Sequence, residues 1–256
     1  MARPRAIVLR APGTNCDEET AAAWECAGAA AETWHIGRLL AAPAALDAFQ
    51  VVTIPGGFSY GDDLGAGRIF ATRLGTVLGD ALRRFHDRGG LVLGICNGFQ
   101  VLVRAGLLPG GPAAGASTLT RNDSGRFEAR WVRLAGRPGL SPFITRAEPI
   151  ELPVAHGEGK FLTARPEALA ALDAAGQVVL RYVDEKGSPT ETYPANPNGS
   201  PGGLAGVCDP TGRTFGLMPH PERFVDPLHH PRWTRRGTDA APDGLRLFLN
   251  AVQAMS

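Results

Sequence analysis

The residues best placed to do chemistry lie in "GLVLGICNGFQ", positions 90–100, where an apolar run of strand character breaks at Cys96 between Gly94 and Gly98. A sharp strand-to-helix turn flanked by small residues exposes its central side chain at the carboxyl edge of a sheet, as in a nucleophile elbow. A helix starting at Asn97 would aim its free N–H groups at the sulfur and favour thiolate over thiol. Cys96 is thus the candidate nucleophile. Taken alone, G-x-C-x-G fits a small buried core cysteine equally well.

A thiolate needs a base and a group that orients the base, usually far away in sequence. "GLMPHPER", 216–223, offers His220 as base and Glu222 as its orienter, with Pro219 and Pro221 restricting the backbone between them. An H-x-E pair also fits a surface turn or part of a metal site, but no third ligand is spaced to complete a coordination sphere, so no metal is expected. Acyl chemistry further needs N–H donors for a developing oxyanion. In "IPGGFSYGDD", 54–63, Gly56 and Gly57 follow a strand end and can bring bare backbone close to a carbonyl. The candidate donors are the N–H groups of Gly57 and Asn97. The other thiols lack such settings: Cys16 precedes a helix, Cys26 lies in it and Cys208 ends a strand, so all three read as structural.

Positioning these groups requires a sheet whose strands end at one edge. Short apolar runs alternate with helical patterns: "AIVL" at 6–9, a helix over "DEETAAAWECAGAA" from 17, "VVTI" at 51–54, and a long helix from 70 stopped by Gly89 and Gly90 before the strand that carries Cys96. That rhythm predicts an α/β fold with a mostly parallel central sheet. Residues 109–126, rich in Pro, Gly, Ala and Ser, read as a surface excursion. Strand patterns return at 127–134, 178–183, 204–208 and 214–218, and "GLRLFLNAVQ" closes the chain as an amphipathic helix. No repeat or linker interrupts residues 1–256, which read as one domain.

Composition narrows the function classes. The chain has 256 residues, 44% hydrophobic and 20% charged, enough for one large core. Its 26 basic and 25 acidic residues nearly cancel and form no basic run, which argues against nucleic acid as a partner. No segment approaches the ~20 apolar residues of a membrane span, and the N-terminal apolar run is too short for a signal peptide. With widely spaced cysteines and no C-x-x-C, the expected location is the cytoplasm. Neither a P-loop nor G-x-G-x-x-G is present, and "HGEGK" at 156–160 lacks the P-loop spacing.

Together "PGGFSYGDDLGAGR", "GICNGFQ", "RNDSGRFEARW", "HGEGKF", "TETYPANPNGSPGG" and "GLMPHPER" resemble the glutaminase components of phosphoribosylformylglycinamidine synthase, in order over about residues 6–224. The first, second and last indicate triad-type (class I) glutamine amidotransferases; the others make the resemblance specific. It implies a three-layer α/β/α, flavodoxin-like sandwich. It implies that Cys96 attacks the side-chain amide of L-glutamine to give a glutamyl thioester and ammonia, that His220 moves the proton and that Glu222 orients His220. Gly56, Gly57, Phe58 and Gln100 would contact glutamine, with Asn122 and Ser124 as further candidates for its amino-acid end. No cofactor is implied for this chain; ATP and magnesium belong on a large synthetase subunit that receives the ammonia, and many such complexes add a small third subunit. "HGEGK" reads as a loop at the rim of the site or at a subunit contact. "NPNGS" at 196–200 reads as a tight turn, with lining of the ammonia route as the alternative. Residues 225–243 are fixed by none of these motifs. A glutaminase serving another synthase, or a noncatalytic regulatory subunit, are the competing readings; retention of all three catalytic residue types argues against the second.

Overall fold

A computed structural model describes residues 3–111, 115–237 and 241–255. Residues 112–114 of the expected excursion and 238–240 of the segment 225–243 lie outside the described residues. In chain order, β1 (Arg5–Arg10), α1 (Asp17–Cys26), β2 (Ala30–His35), α2 (Ile36–Ala41), β3 (Val51–Ile54), α3 (Arg68–Asp87), β4 (Leu91–Ile95) and α4 (Asn97–Arg104) build the first half. The second half runs β5 (Ser117–Thr120), β6 (Glu128–Gly136), β7 (Ile150–His156), β8 (Lys160–Thr163), α5 (Pro166–Ala174), β9 (Val178–Tyr182), β10 (Leu204–Cys208), β11 (Thr214–Leu217), α6 (Trp233–Arg236) and α7 (Asp243–Ala254).

Nine strands form one sheet in the order β2-β1-β3-β4-β11-β10-β9-β6-β7. From β2 to β11 every pairing is parallel, and from β11 to β7 every pairing is antiparallel. The parallel character expected from the sequence therefore belongs to the half that carries Cys96. There, β3 and β4 are buried at every position, which accounts for their unbroken apolar runs. Thr53 of β3 accepts a hydrogen bond from Trp24 of α1 at 2.9 Å, while the next residue, Ile54, lies against Gly98 of α4. Successive strand residues face opposite ways, so α1 and α4 cover opposite faces of the sheet. Trp24 also meets Phe248 edge-on at 4.9 Å, which packs α7 beside α1.

The short elements α2, β5, β8, α5 and α6 were not read from the sequence, and β5 lies inside the span 109–126 expected to be a surface excursion. Two strands of the large sheet escaped the sequence reading for identifiable reasons. The helix expected from 17 stops at Cys26, and Ala30–His35 is a strand instead. As the sheet's edge, β2 is mostly half-exposed and shows little of an apolar run. At the other edge, β7 contains Pro153, a residue tolerated in strands only where no ladder hydrogen bond is required of it.

Candidate active site

The turn at Cys96 is forced by its neighbours. Cys96 sits at φ 51°, ψ −104°, a conformation that costs a non-glycine residue roughly 1–3 kcal/mol. It is held by its own N–H, which donates to the Leu217 carbonyl at 2.8 Å, and by its carbonyl, which accepts from the Gln100 N–H at 3.1 Å. The flanking glycines serve closeness of approach. A Cβ on Gly98 would lie 1.8 Å from the Ile54 carbonyl oxygen, and one on Gly94 would lie 2.5 Å from Leu102 and 2.8 Å from the Gly98 backbone. The sulfur points toward the Ala155 carbonyl oxygen at 3.6 Å.

Parallel pairing of β11 with β4 brings His220 to the same edge of the sheet. The ring is buried, and its Nδ1 lies 2.6 Å from Glu222 Oε1, which is buried as well. Burial by itself would push the imidazole down. The Glu222 carboxylate, together with the Cys96 and Cys16 sulfurs, outweighs that and holds it well above its ordinary value. With Nδ1 committed to the carboxylate, Nε2 is buried without a hydrogen-bond partner among the described residues. The Gly-Gly loop closes a further side: a Cβ on Gly56 would come within 2.8 Å of the His220 ring, so this glycine admits the imidazole.

These groups surround a cavity of about 470 Å³. Of the residues singled out in the sequence, Gly57, Phe58, Cys96, Gln100 and His220 line it; Glu222 stands behind His220, and Gly56 packs against the ring. Asn97 is buried at the start of α4, where its side chain ties the loop to the helix: Oδ1 accepts from Ser59 Oγ at 2.6 Å, and Nδ2 donates to Gln100 Oε1 at 3.0 Å and to Asp62 Oδ1 at 3.2 Å. Neither the Gly57 nor the Asn97 backbone N–H donates to another group of the described residues.

Asn122 and Ser124 fall outside the cavity lining. Asn122 is spent on its own loop: Nδ2 donates to the Arg126 and His156 carbonyls at 2.9 and 2.8 Å, while Oδ1 accepts from the Gly159 N–H at 3.0 Å and faces His156 Nδ1 at 3.1 Å. Ser124 is exposed, and its hydroxyl accepts from the Arg126 N–H at 3.3 Å. The Asn122 network fixes the tautomer of His156. Both amide hydrogens are used on carbonyls, so Oδ1 can only accept, Nδ1 carries the hydrogen and Nε2 is bare. Burial, reinforced by His220, pulls His156 down to about 3 and keeps it neutral.

The cavity is also lined by Asn15, Cys16, Asp62 and Arg223, which sequence reasoning did not assign to the site, and by His156, Gly157 and Glu158 of "HGEGK", the segment read as a loop at the rim of the site or at a subunit contact. Cys16, read as structural, has its sulfur 3.3 Å from Asn15 Oδ1 and accepts from Arg223 Nη2 at 3.2 Å. Burial is the main reason its thiol lies above the usual range. The available signal was topological: the first strand-to-helix loop of a doubly wound sheet opens at the same carboxyl edge as the others. Cys16, Glu19, His220 and Glu222 place ligand-type atoms within 4.8 Å of one another. The Arg223 guanidinium already stands among them, paired with Glu19 at 2.8 Å, so the cluster is compensated by an internal cation. A second cavity of about 320 Å³, lined by Phe143, Ile144, Leu180 and Leu247 among others, holds no cysteine or histidine.

The family of CobB/CobQ-like glutamine amidotransferase domains matches residues 3–254. The chain is 49% identical over 255 residues to phosphoribosylformylglycinamidine synthase subunit PurQ of Dehalococcoides mccartyi, covering 99% of this chain and 98% of that one. It is 39% identical over 264 residues to the subunit of the same name from Methanococcus maripaludis, covering 98% and 97%. Among solved structures it resembles a chain of PurLQS from Thermotoga maritima over 100% of both chains, with a TM-score of 0.75 and 33% identity. No helix of the described residues is long and apolar enough to cross a membrane.

Proposed function

The chain belongs to the PurQ family of phosphoribosylformylglycinamidine synthase subunits, within the CobB/CobQ-like glutamine amidotransferases, and from that premise we propose how its site works. It is the glutaminase subunit of that synthase, an enzyme of purine biosynthesis. The observation that carries the mechanism is the buried His220–Glu222 pair, whose unpartnered Nε2 shares a cavity with a cysteine held in a strained turn.

His220 Nε2 takes the Cys96 proton, and the sulfur attacks the side-chain carbonyl carbon of glutamine. The N–H groups of Gly57 and Asn97, free of other partners, receive the oxyanion. An imidazole raised by Glu222 is a competent acid, so His220 then protonates the leaving nitrogen. The C–N bond breaks, ammonia departs and a glutamyl thioester remains on Cys96. Water, deprotonated by the same imidazole, cleaves the thioester to glutamate and restores the thiol.

The ammonia is consumed on a large synthetase subunit, where ATP and magnesium act, and we assign a small third subunit to the same complex. The whole of residues 1–256 acts as one amidotransferase domain in the cytoplasm. Turnover by the isolated chain is low and rises on docking, since an always-open site would release ammonia unused. The test is glutamate release from glutamine by wild type and Cys96→Ala, with and without the synthetase subunit and its substrates. Release that requires Cys96 and rises with that partner supports the reading; release indifferent to Cys96 contradicts it.

A further inference from the structure

One buried base at the cavity takes no part in the proton transfers above. His156 ends β7, the strand whose backbone meets both catalytic residues: the Ala155 carbonyl oxygen lies 3.6 Å from Cys96 Sγ, and the Pro153 carbonyl accepts from the His220 N–H at 2.8 Å. The ring is locked in place. Asn122 Oδ1 faces its Nδ1 at 3.1 Å, and the Gly159 backbone covers it so closely that a Cβ there would lie 2.5, 2.6 and 2.9 Å from three ring atoms. On the side of the ring away from Asn122, Nε2 is buried without a partner among the described residues, and His156 lines the cavity.

This nitrogen can only accept. Nδ1 holds the hydrogen, as the Asn122 network requires, and burial together with the His220 charge keeps a second proton off the ring. A buried acceptor left open beside a cavity calls for a donor from the ligand. The reaction brings one. A carboxamide nitrogen carries two hydrogens and, while conjugated, offers no lone pair to protonate. Attack by sulfur moves the C=O π electrons onto oxygen and frees that lone pair. For His220 to protonate it, the lone pair must face His220 Nε2 and the hydrogens must point elsewhere. An acceptor that stays neutral can hold one of those hydrogens without competing for the proton.

We infer that His156 Nε2 accepts a hydrogen bond from the leaving nitrogen of glutamine and so turns that nitrogen's lone pair toward His220. This rests on the glutaminase reading above. No proton passes to His156: His220 supplies the one that the nitrogen needs, the C–N bond breaks and ammonia leaves. The hydrogen bond strengthens as the nitrogen gains positive charge, so it favours the transition state of amide cleavage over the bound substrate.

The test compares glutamine with the γ-methyl ester of glutamate, whose leaving oxygen has no hydrogen to offer, as substrates of the complex assembled with the synthetase subunit. For both, kcat/KM reports acylation. His156→Asn keeps a donor for Asn122 at the Nδ1 position and removes the acceptor. It is expected to lower kcat/KM for glutamine by about tenfold or more while the value for the ester stays within about threefold. His156→Gln, which returns an acceptor to the Nε2 position, is expected to recover most of the loss for glutamine.

If His156→Asn slows both substrates alike, or neither, the assignment is wrong. A loss confined to kcat, with kcat/KM kept for both, would move His156 to the hydrolytic water and overturn it as well. If a control Cys96→Ala complex releases glutamate from glutamine as fast as wild type, the glutaminase reading falls and the assignment with it. The two failures are thus separable.

Discussion

Two buried polar regions of this molecule look alike in composition and differ in how their hydrogen bonds close. The turn at 196–200 buries Asn196, Asn198 and Ser200 almost completely. Asn198 donates to the Tyr182 hydroxyl at 3.1 Å and accepts from the Ser200 N–H and hydroxyl at 3.0 and 2.7 Å, while Asn196 donates to the Ser200 carbonyl at 2.9 Å. Ser200 in turn accepts from the Phe161 N–H at 2.9 Å. No side-chain polar atom of these three residues is buried without a partner. Around the cavity, His156 Nε2, His220 Nε2 and Glu222 Oε2 are buried and unpartnered, and Cys96 is strained. Closed networks give a scaffold its rigidity; open valences beside a cavity are what a reaction can use. The "NPNGS" motif belongs to the first kind, so the tight-turn reading describes it and its side chains are spent on structure.

The sharpest break between the regions should come from Cys96→Ala. Glutamate release by the assembled complex is expected to fall by about 10⁴-fold or more, with no loss of thermal stability, because the substitution removes the nucleophile without removing a structural bond. A comparable loss of melting temperature would mean that Cys96 belongs to the scaffold. Glu222→Gln should follow, lowering kcat by roughly 10²–10⁴-fold at similar KM, since it removes the charge that supports the imidazolium. In the scaffold, Asn198→Leu should do the reverse: it strands Tyr182 and Ser200, costing about 2–4 kcal/mol in urea unfolding while kcat per folded molecule stays within a few-fold.

Acid sensitivity offers the smallest contrast. Folded His156 accepts a proton only near pH 3, against 6.5 for an ordinary histidine. The unfolded chain thus binds the extra proton first, and the contribution of neutral His156 to stability, complete above pH 6.5, is lost as pH falls toward 3. The slope is at most about 1.4 kcal/mol per pH unit. His220 works oppositely: its raised value adds stability that is complete below 6.5 and lost as pH rises through the folded value. Urea unfolding of wild type and His156→Asn between pH 7 and 4 should give the variant the shallower acid loss; equal slopes would place the acid sensitivity on other groups.

The half of the fold that carries the chemistry was legible because its strands are buried on both faces and write themselves as apolar runs. The elbow, the Gly-Gly loop and His220–Glu222 could be read because each motif imposes a local backbone or pairing requirement. Edge strands β2 and β7 were not legible, since half-exposure and Pro153 blur the pattern. Cys16, Asp62 and Arg223 were missed for a different reason: nothing local distinguishes them, and they reach the cavity only because separate loops meet at one sheet edge. Asn122 drew attention by residue type, yet its amide is consumed in fixing His156.

Two thiols, Cys16 and Cys96, share the cavity, and only Cys96 is acylated in the proposed reaction. Acid quenching of the assembled complex during glutamine turnover, followed by peptide mass spectrometry, would locate the glutamyl thioester. The expected result is a glutamyl adduct on the peptide containing Cys96 and none on the peptide containing Cys16. An adduct on Cys16, or turnover undiminished in Cys96→Ala, would contradict it.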